Sequence, residues 1–405
     1  MTKIRIKNFG PIKDNNHWIE IGKVTVFIGN QGSGKSTVAK LISTFAWIEK
    51  SLVRGDHDIK FFERKSKFKN TFLTYHRLQN YITPSTYIEY IGDSYSFRFT
   101  DNSLSIERQD AIVHHDIGLP QIMYVPAERN FLTYIESFRE LRIASPALRE
   151  FKDEYKIAQK SIKGTYTLPV DNTELEYDRQ NDILHLSGND YKLRISEASS
   201  GFQSLVPLYI VSLNLAQSIV KKSDKNEMTE EERDRYKKLV ADIYSNTKLT
   251  EEQRRSAISA VSNIFTKTYF VNIVEEPEQN LFPTSQQEML AALLDINNLS
   301  SENKLIMTTH SPYIINFLPL FVKTYQICEK ATTPEVIQEL GSVIPVNSKI
   351  NPSKLFVYEL DERTGKYSQL ETYKGMPSDE NYLNYSLADS NDKFAQLLNI
   401  EEKCR

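Results

Sequence analysis

Four short segments of this chain carry residue types that together suit the binding and cleavage of a phosphoanhydride. Gly29-Asn30-Gln31-Gly32-Ser33-Gly34-Lys35-Ser36-Thr37 fits the P-loop pattern and sits directly after an apolar run and directly before a helical one. Glycines there let the backbone fold round a phosphate, while N–H groups and a helix N-terminus supply positive potential. Lys35 would reach the β- and γ-phosphates, and the Ser36 hydroxyl would ligate Mg²⁺. The second segment ends an apolar run in Glu275-Glu276-Pro277-Glu278. Two carboxylates at a strand end repel, and a metal with a water relieves that conflict: Glu275 toward the metal, Glu276 orienting or deprotonating the water. The third places His310 after the run Ile306-Met307-Thr308-Thr309, where an imidazole can bond a γ-phosphate or the attacking water. The fourth, Ser199-Ser200-Gly201, opens an apolar helical stretch and makes a second anion site at a helix start.

These residues need elements to hold them. Residues 3–9 alternate as a strand, and 19–28 end in a β-branched run suited to a strand buried on both faces. Residues 36–50 have helical spacing, with Val38, Leu41, Ile42, Phe45 and Ile48 on one side. Within 54–120 the alternation predicts antiparallel strands with a turn at Asp101-Asn102. Buried strands are expected at 121–126, 269–274 and 304–308, helices at 131–162 and 203–220, and short strands over 173–195 about a turn at 187–190. Residues 221–258 are highly charged, and Thr229 with Glu232 and Thr250 with Gln253 fit capping boxes, which predicts an exposed helical hairpin. A terminal hairpin (355–360 with 367–373) and a short helix near 391–400 complete the reading.

Composition excludes several classes. The chain has 405 residues with 40% hydrophobic and 25% charged, which rules out general disorder, and its formal net charge of −3 excludes a globally basic nucleic-acid coat. No uninterrupted apolar run of membrane-spanning length is present, so no membrane partner is expected. The two cysteines, Cys328 and Cys404, build no disulfide framework or zinc site, and a cytoplasmic location follows as the default.

In their order, the four segments resemble ABC-type ATPases, in the soluble branch with SMC-like repair ATPases and OLD-like ATPases. They are most similar to the AAA-family ATPases of bacterial anti-phage defence systems. The opening Ile-Lys-Asn-Phe-Gly-Pro-Ile-Lys at 6–13, the segment 275–283 and Thr-Thr-His-Ser-Pro-Tyr at 308–313 carry that likeness. The resemblance implies an α/β fold, an ABC-type P-loop ATPase head with a central mostly parallel sheet, an antiparallel β subdomain and inserted helical segments. Its parts would be 1–50 (P-loop part of the core), 51–120 (antiparallel β-rich), 121–195 (core strand with an insertion), 196–220 (signature helix), 221–262 (helical hairpin), 263–345 (second part of the core) and 346–405 (C-terminal hairpin and helix). It further implies ATP and Mg²⁺ as cofactors, Glu275 in the Walker B metal position, Glu276 as catalytic base and His310 as switch histidine. Ser199 and Gly201 become signature residues touching the γ-phosphate on the opposite subunit of a head-to-tail homodimer, and 277–283 becomes the D-loop between them. The signature departs in Ser200 and Phe202, the metal carboxylate is Glu rather than Asp, and the Q-loop position falls somewhere in Ala127-Glu128-Arg129-Asn130.

About 160 residues separate P-loop and signature, too few and too strand-like for a long coiled coil. The roughly 95 residues after His310 hold no Asp-x-Asp pair for a nuclease domain. His114-His115 is read as a loop without a metal role. A slow ATPase that senses a trigger and controls a separate effector protein, a nuclease or toxin, is therefore expected. The alternative is a DNA-repair or chromosome-clamp ATPase that contacts DNA directly, for which Phe61 to Lys69, with Lys65, Lys67 and Lys69, is the best patch.

Overall fold

The computed structural model describes residues 1–13, 16–109, 118–134, 143–171, 173–188, 190–220, 230–246, 249–250, 253–254, 257–258, 261 and 265–403. The strands that begin the chain are β1 (Lys3–Phe9), β2 (Ile19–Glu20) and β3 (Val24–Gly29), and the P-loop leads from β3 into helix α1 (Lys35–Val53). After a short helix α2 (Ile59–Glu63) come β4 (Ile82–Ile91), β5 (Tyr95–Thr100), β6 (Ser103–Arg108) and β7 (Leu119–Val125). Helix α3 (Pro146–Ser161) precedes the short strands β8 (Thr165–Thr167), β9 (Glu174–Asp178), β10 (Ile183–Ser187) and β11 (Lys192–Arg194). The remaining elements are α4 (Ser200–Val220), α5 (Glu230–Ser245), β12 (Lys267–Glu275), α6 (Pro283–Asn297), β13 (Lys304–Thr309), α7 (Pro312–Cys328), α8 (Pro334–Val343), β14 (Leu355–Leu360), β15 (Tyr367–Gln369) and α9 (Tyr382–Glu402), with a small ladder of Thr372–Tyr373 on Met376–Pro377.

The main sheet runs β15-β14-β3-β13-β12-β7, parallel except for the antiparallel edge strand β15. Every residue of β3 is buried, as a strand covered on both faces requires. Alternate residues feed two cores. Val24, Val26 and Ile28 face one core with α3, α4, α6 and α7. Phe27 faces the other, with Ile42, Phe45 and Ile48 of α1 and the antiparallel sheet β2-β1-β4-β5-β6. The fold is thus α/β with a mostly parallel sheet beside antiparallel ones.

Several local expectations are corrected. Residues 19–28 hold the short β2 as well as β3, the fully buried strand that the β-branched run predicts. The 54–81 stretch holds α2 and a π-helical turn at Phe68–Leu73 before any strand, and Phe62 and Phe68 are buried in the second core. The 131–162 region is a 3-10 turn (Ala127–Thr133) and then α3, with 135–142 outside the described residues. Helix α4 starts at Ser200; it is long and apolar enough to cross a membrane by composition, yet two-thirds of its apolar window is buried in the protein. The 187–190 turn, the Thr229 capping box, His114-His115 and Cys404 fall wholly or partly outside the described residues. The Thr250 capping box forms, with the Thr250 N–H on Gln253 Oε1 at 2.9 Å and the Gln253 N–H on Thr250 Oγ1 at 3.2 Å. Strand β14 joins the main sheet parallel to β3, and the last helix spans Tyr382–Glu402 rather than 391–400.

One buried acid sets a pH dependence. Glu49 of α1 accepts from the Ser94 N–H at 2.6 Å and the Tyr95 N–H at 3.1 Å under the β4–β5 turn. Burial raises its carboxyl to about 7, from an ordinary 4.5, although the two N–H groups oppose the shift. Because the folded pKa is raised, its contribution to stability is complete below the unfolded pKa and is lost as pH rises through the folded one. The melting temperature of Glu49→Gln should therefore gain on the parent between about pH 5 and about pH 8. A constant difference across that range contradicts the assignment.

Candidate functional site

The site lies at the C-terminal ends of the parallel strands, where β3, β13 and β12 end side by side. Gly29 closes β3 in an extended positive-φ conformation (φ 139°), and a Cβ there would lie 2.3 Å from the Leu360 carbonyl oxygen of β14. Only glycine lets the loop leave the sheet so close to the neighbouring strand. Asn30 is tied to the C-terminal segment, its Nδ2 donating to Glu362 Oε1 (3.2 Å) and to the Tyr382 hydroxyl (3.3 Å). Gln31 and Gly32 form the exposed tip, Ser33 and Gly34 are buried, and Ser36 lies half-buried beside buried Thr37 in the first turn of α1. Helix α1 has no side-chain cap, so an anion can serve its N-terminal N–H groups.

Lys35 is buried and folds back over its loop. Its Nζ donates to the carbonyls of Gly29 (2.8 Å) and Asn30 (2.7 Å) and lies 3.2 Å from His310 Nδ1. Burial lowers its pKa to about 8, and the facing Glu276, Glu278, Glu362 and Glu275 limit that drop. Strand β13 stands between the P-loop strand and β12, so the histidine at its end sits between lysine and glutamate. His310 Nε2 is 3.5 Å from Glu276 Oε1. That contact holds the Glu276 carboxyl below the usual range, although burial opposes it. Glu276 has left-handed backbone geometry (φ 45°), which costs a non-glycine residue about 1–3 kcal/mol. Its N–H is held by the Thr308 carbonyl at 2.9 Å, which turns its side chain out of the β12 register.

Glu278 was not assigned a role by the sequence reading, yet it holds the histidine. Its Oε1 accepts from the His310 N–H and the Thr309 hydroxyl, both at 2.8 Å. Glu275 ends β12 almost fully buried, with Lys40 Nζ 3.7 Å from Oε1 and the Ala127 N–H 3.3 Å from Oε2. Its Oε1 has no hydrogen-bond partner although buried. That orphaned oxygen fits a hard divalent cation. Among the described residues no group of three or more His, Cys, Asp or Glu side chains that could hold a metal ion forms.

Ser199 and Gly201 stand apart from this group. Ser199 is exposed, and Gly201 packs on the 276–281 turn: a Cβ on Gly201 would lie 3.0 Å from the Asn280 carbonyl, and Asn280 Nδ2 donates to Ser204 Oγ at 3.2 Å. The structure therefore brings Lys35, His310 and Glu276 together, sets Glu275 beside them, and puts the first turn of α4 against the segment after Glu276.

Residues 1–111 match the family model of an AAA ATPase domain. This matched quarter of the chain contains the P-loop, and the match agrees with the ATPase resemblance carried by the motifs. No curated protein matches the chain. Among solved structures the fold is similar to the SMC head domain from Thermotoga maritima, at 12% identity over 78% of this chain and 90% of that one, with a TM-score of 0.33. It is similar to the Smc head with an extended coiled coil from Pyrococcus furiosus, bound there to the C-terminal domain of ScpA, at 11% identity over 93% and 98%, with a TM-score of 0.37. A dimeric bacterial ABC transporter cassette is similar at 11% identity over 92% and 100%, with a TM-score of 0.25.

A further residue of the site lies in the 127–130 segment where the Q-loop position is expected, with a role that its sequence does not show. Arg129, just past β7, is completely buried. Its Nη1 donates to the carbonyls of Glu275 (2.7 Å) and Pro126 (3.3 Å), its Nη2 to that of Glu276 (2.6 Å) and its Nε to that of Ser204 (3.0 Å). One planar guanidinium thus ties β7, the β12 terminus and α4 into one unit. Burial lowers its pKa to about 10, and Glu278, Glu276 and Glu275 resist the shift. Arg129→Met should leave those carbonyls unpaired and destabilise the protein by roughly 3 kcal/mol or more in urea unfolding. A loss under about 1 kcal/mol would show that the clamp is not needed.

Proposed function

We propose that the chain binds and hydrolyses ATP between two head-to-tail copies and acts as a sensor that controls a separate effector protein in bacterial anti-phage defence. The contact chain from Lys35 through His310 to Glu276 supports this reading most strongly. It joins the phosphate-binding lysine to the carboxylate that acts on the attacking water through one imidazole. In this reading the P-loop N–H groups and Lys35 bind the phosphates, and the lysine exchanges its own loop carbonyls for phosphate oxygens. Ser36 and Glu275 would hold Mg²⁺, which would neutralise charge building on the phosphate oxygens. Glu276 accepts the proton of the water, and His310, held by Glu278, keeps the carboxylate ionised and aimed.

The dimer follows from where the signature lies. Gly201 packs on the 276–281 turn of its own copy and Ser199 beside it is exposed, so in this reading a second copy brings a signature onto the triphosphate. Hydrolysis then removes the contact that holds the pair together and biases a two-state assembly. A protein partner is supported by α9, whose Leu387, Phe394, Leu397 and Ile400 are all exposed, while Tyr382 at its start bonds the P-loop Asn30. The DNA-clamp alternative gains less: Phe62 and Phe68 of its patch are buried, and the Phe61 ring is already covered by His57, Arg64 and Lys67.

Glu276→Gln should retain ATP binding, lose hydrolysis by about 100-fold or more and accumulate as an ATP-dependent dimer by light scattering. Lys35→Ala should lose nucleotide binding itself. Normal turnover in Glu276→Gln contradicts the assignment of the base. Salt-dependent DNA binding abolished by charge reversal at Lys65, Lys67 and Lys69 would favour the clamp instead.

A further inference from the structure

A second cavity opens on the far side of α1 from the P-loop turn. It measures about 220 Å³ and lies between α1, the π-helical turn, β7 and α3. That is below the roughly 300–1,000 Å³ of pockets for drug-sized ligands, so it suits a single or fused ring. Its walls are largely aromatic: Trp47, Phe72, Tyr75, His76 and Tyr124, with Glu150 near the surface. The His76 ring meets Tyr75 and Tyr124 edge-on, each at 4.7 Å between centroids, and Trp47 lies 5.8 Å from Phe72. Tyr75 donates its hydroxyl to Glu150, which fixes one wall.

His76 Nδ1 and the Tyr124 hydroxyl are both buried in this wall: Nδ1 has no hydrogen-bond partner, and the hydroxyl has none but Glu275, toward which it is turned. Both residues are only 5% exposed. Buried polar atoms are nearly always paired, because an unpaired one costs its full desolvation. Burial, aided by the charge of Lys40, lowers the His76 pKa to about 3, so the imidazole is neutral at ordinary pH. A neutral imidazole nitrogen and a phenol hydroxyl ask for a partner with both donor and acceptor groups in one plane. The surrounding rings ask for a flat face to stack on.

We propose that this cavity is a binding site for a small, neutral nitrogen heterocycle of the nucleobase class, and that its occupant tunes the ATPase site. The route is short. Tyr124 pairs across the sheet with Ile273 of β12, two residues before Glu275. Lys40 stands between the two places, close enough to shift His76 and 3.7 Å from Glu275. A ring bonded to the Tyr124 hydroxyl therefore changes the field at the carboxylate that would hold the metal. The binding half stands on the cavity alone, while the tuning half rests on the ATPase reading above.

The test titrates the full chain, without nucleotide, against free adenine, hypoxanthine, cytosine and uracil by calorimetry. At least one should bind. Thr71→Trp, a change at the exposed rim that closes the mouth, and His76→Leu, which removes the nitrogen, should each weaken binding by about tenfold or more. Lys35→Ala should leave it unchanged. No binding by any base at millimolar concentration, binding that survives both cavity variants, or binding lost in Lys35→Ala overturns the site. Binding in the parent without any change in its rate of ATP hydrolysis overturns the tuning. An inactive parent with normal base binding would count against the ATPase reading and not against the cavity.

Discussion

Three glutamates within four residues, Glu275, Glu276 and Glu278, are turned into one end of a parallel sheet. Most of the surrounding structure answers the cost of holding that negative charge in a largely buried place. Each carboxylate is handled differently. Glu278 is half-buried and desolvation raises its pKa, but His310 and Thr309 donate to it. Glu276 stays ionised against the imidazole. Glu275 keeps one buried oxygen unpaired beside Lys40. Two buried cations, Lys35 and Arg129, complete the balance from either side, and both are kept charged by these acids despite desolvation.

Topology makes that balance possible. With β13 between β3 and β12, His310 ends up bridging a lysine and a glutamate that are far apart in sequence. Arg129 does the equivalent on the other flank by bonding the carbonyls of Glu275, Glu276 and Ser204 at once. A shift of α4 is therefore felt at the Glu276 backbone through a single side chain. This is a physical link between α4 and the Glu276 carboxylate, and it needs no flexible relay. The left-handed φ of Glu276 is held in place by the same set of bonds.

Much of this was legible from sequence. The P-loop, the acidic pair and the histidine carry fixed spacings, and the buried strands that precede them read as apolar runs. What could not be read has specific causes. Arg129 bonds only backbone carbonyls, which leave no pattern in side-chain identity, so its segment was recognised but its role was not. Glu278 was visible in Glu-Glu-Pro-Glu, yet its use depends on Pro277 and a left-handed Glu276 turning the chain back toward Thr309. Strand β14 gave a good hairpin signal, but its pairing with β3 spans more than three hundred residues and no local pattern encodes it. The aromatic patch at 61–69 looked like a surface platform because its cations dominate the pattern, whereas Phe62 packs on Phe72 and Phe68 stacks on Phe45 of α1 inside the second core.

The central claim is that each nucleotide is shared between two copies, with Lys35 from one and the Ser199 turn from the other. Mixing two inactive variants tests it directly. Lys35→Ala and Ser199→Arg would each abolish hydrolysis alone, and their mixed dimer would contain one pocket with both residues intact. The account predicts that combining the two proteins restores ATP hydrolysis in proportion to mixed-dimer formation. No recovery, with mixed dimers demonstrably present, would contradict it.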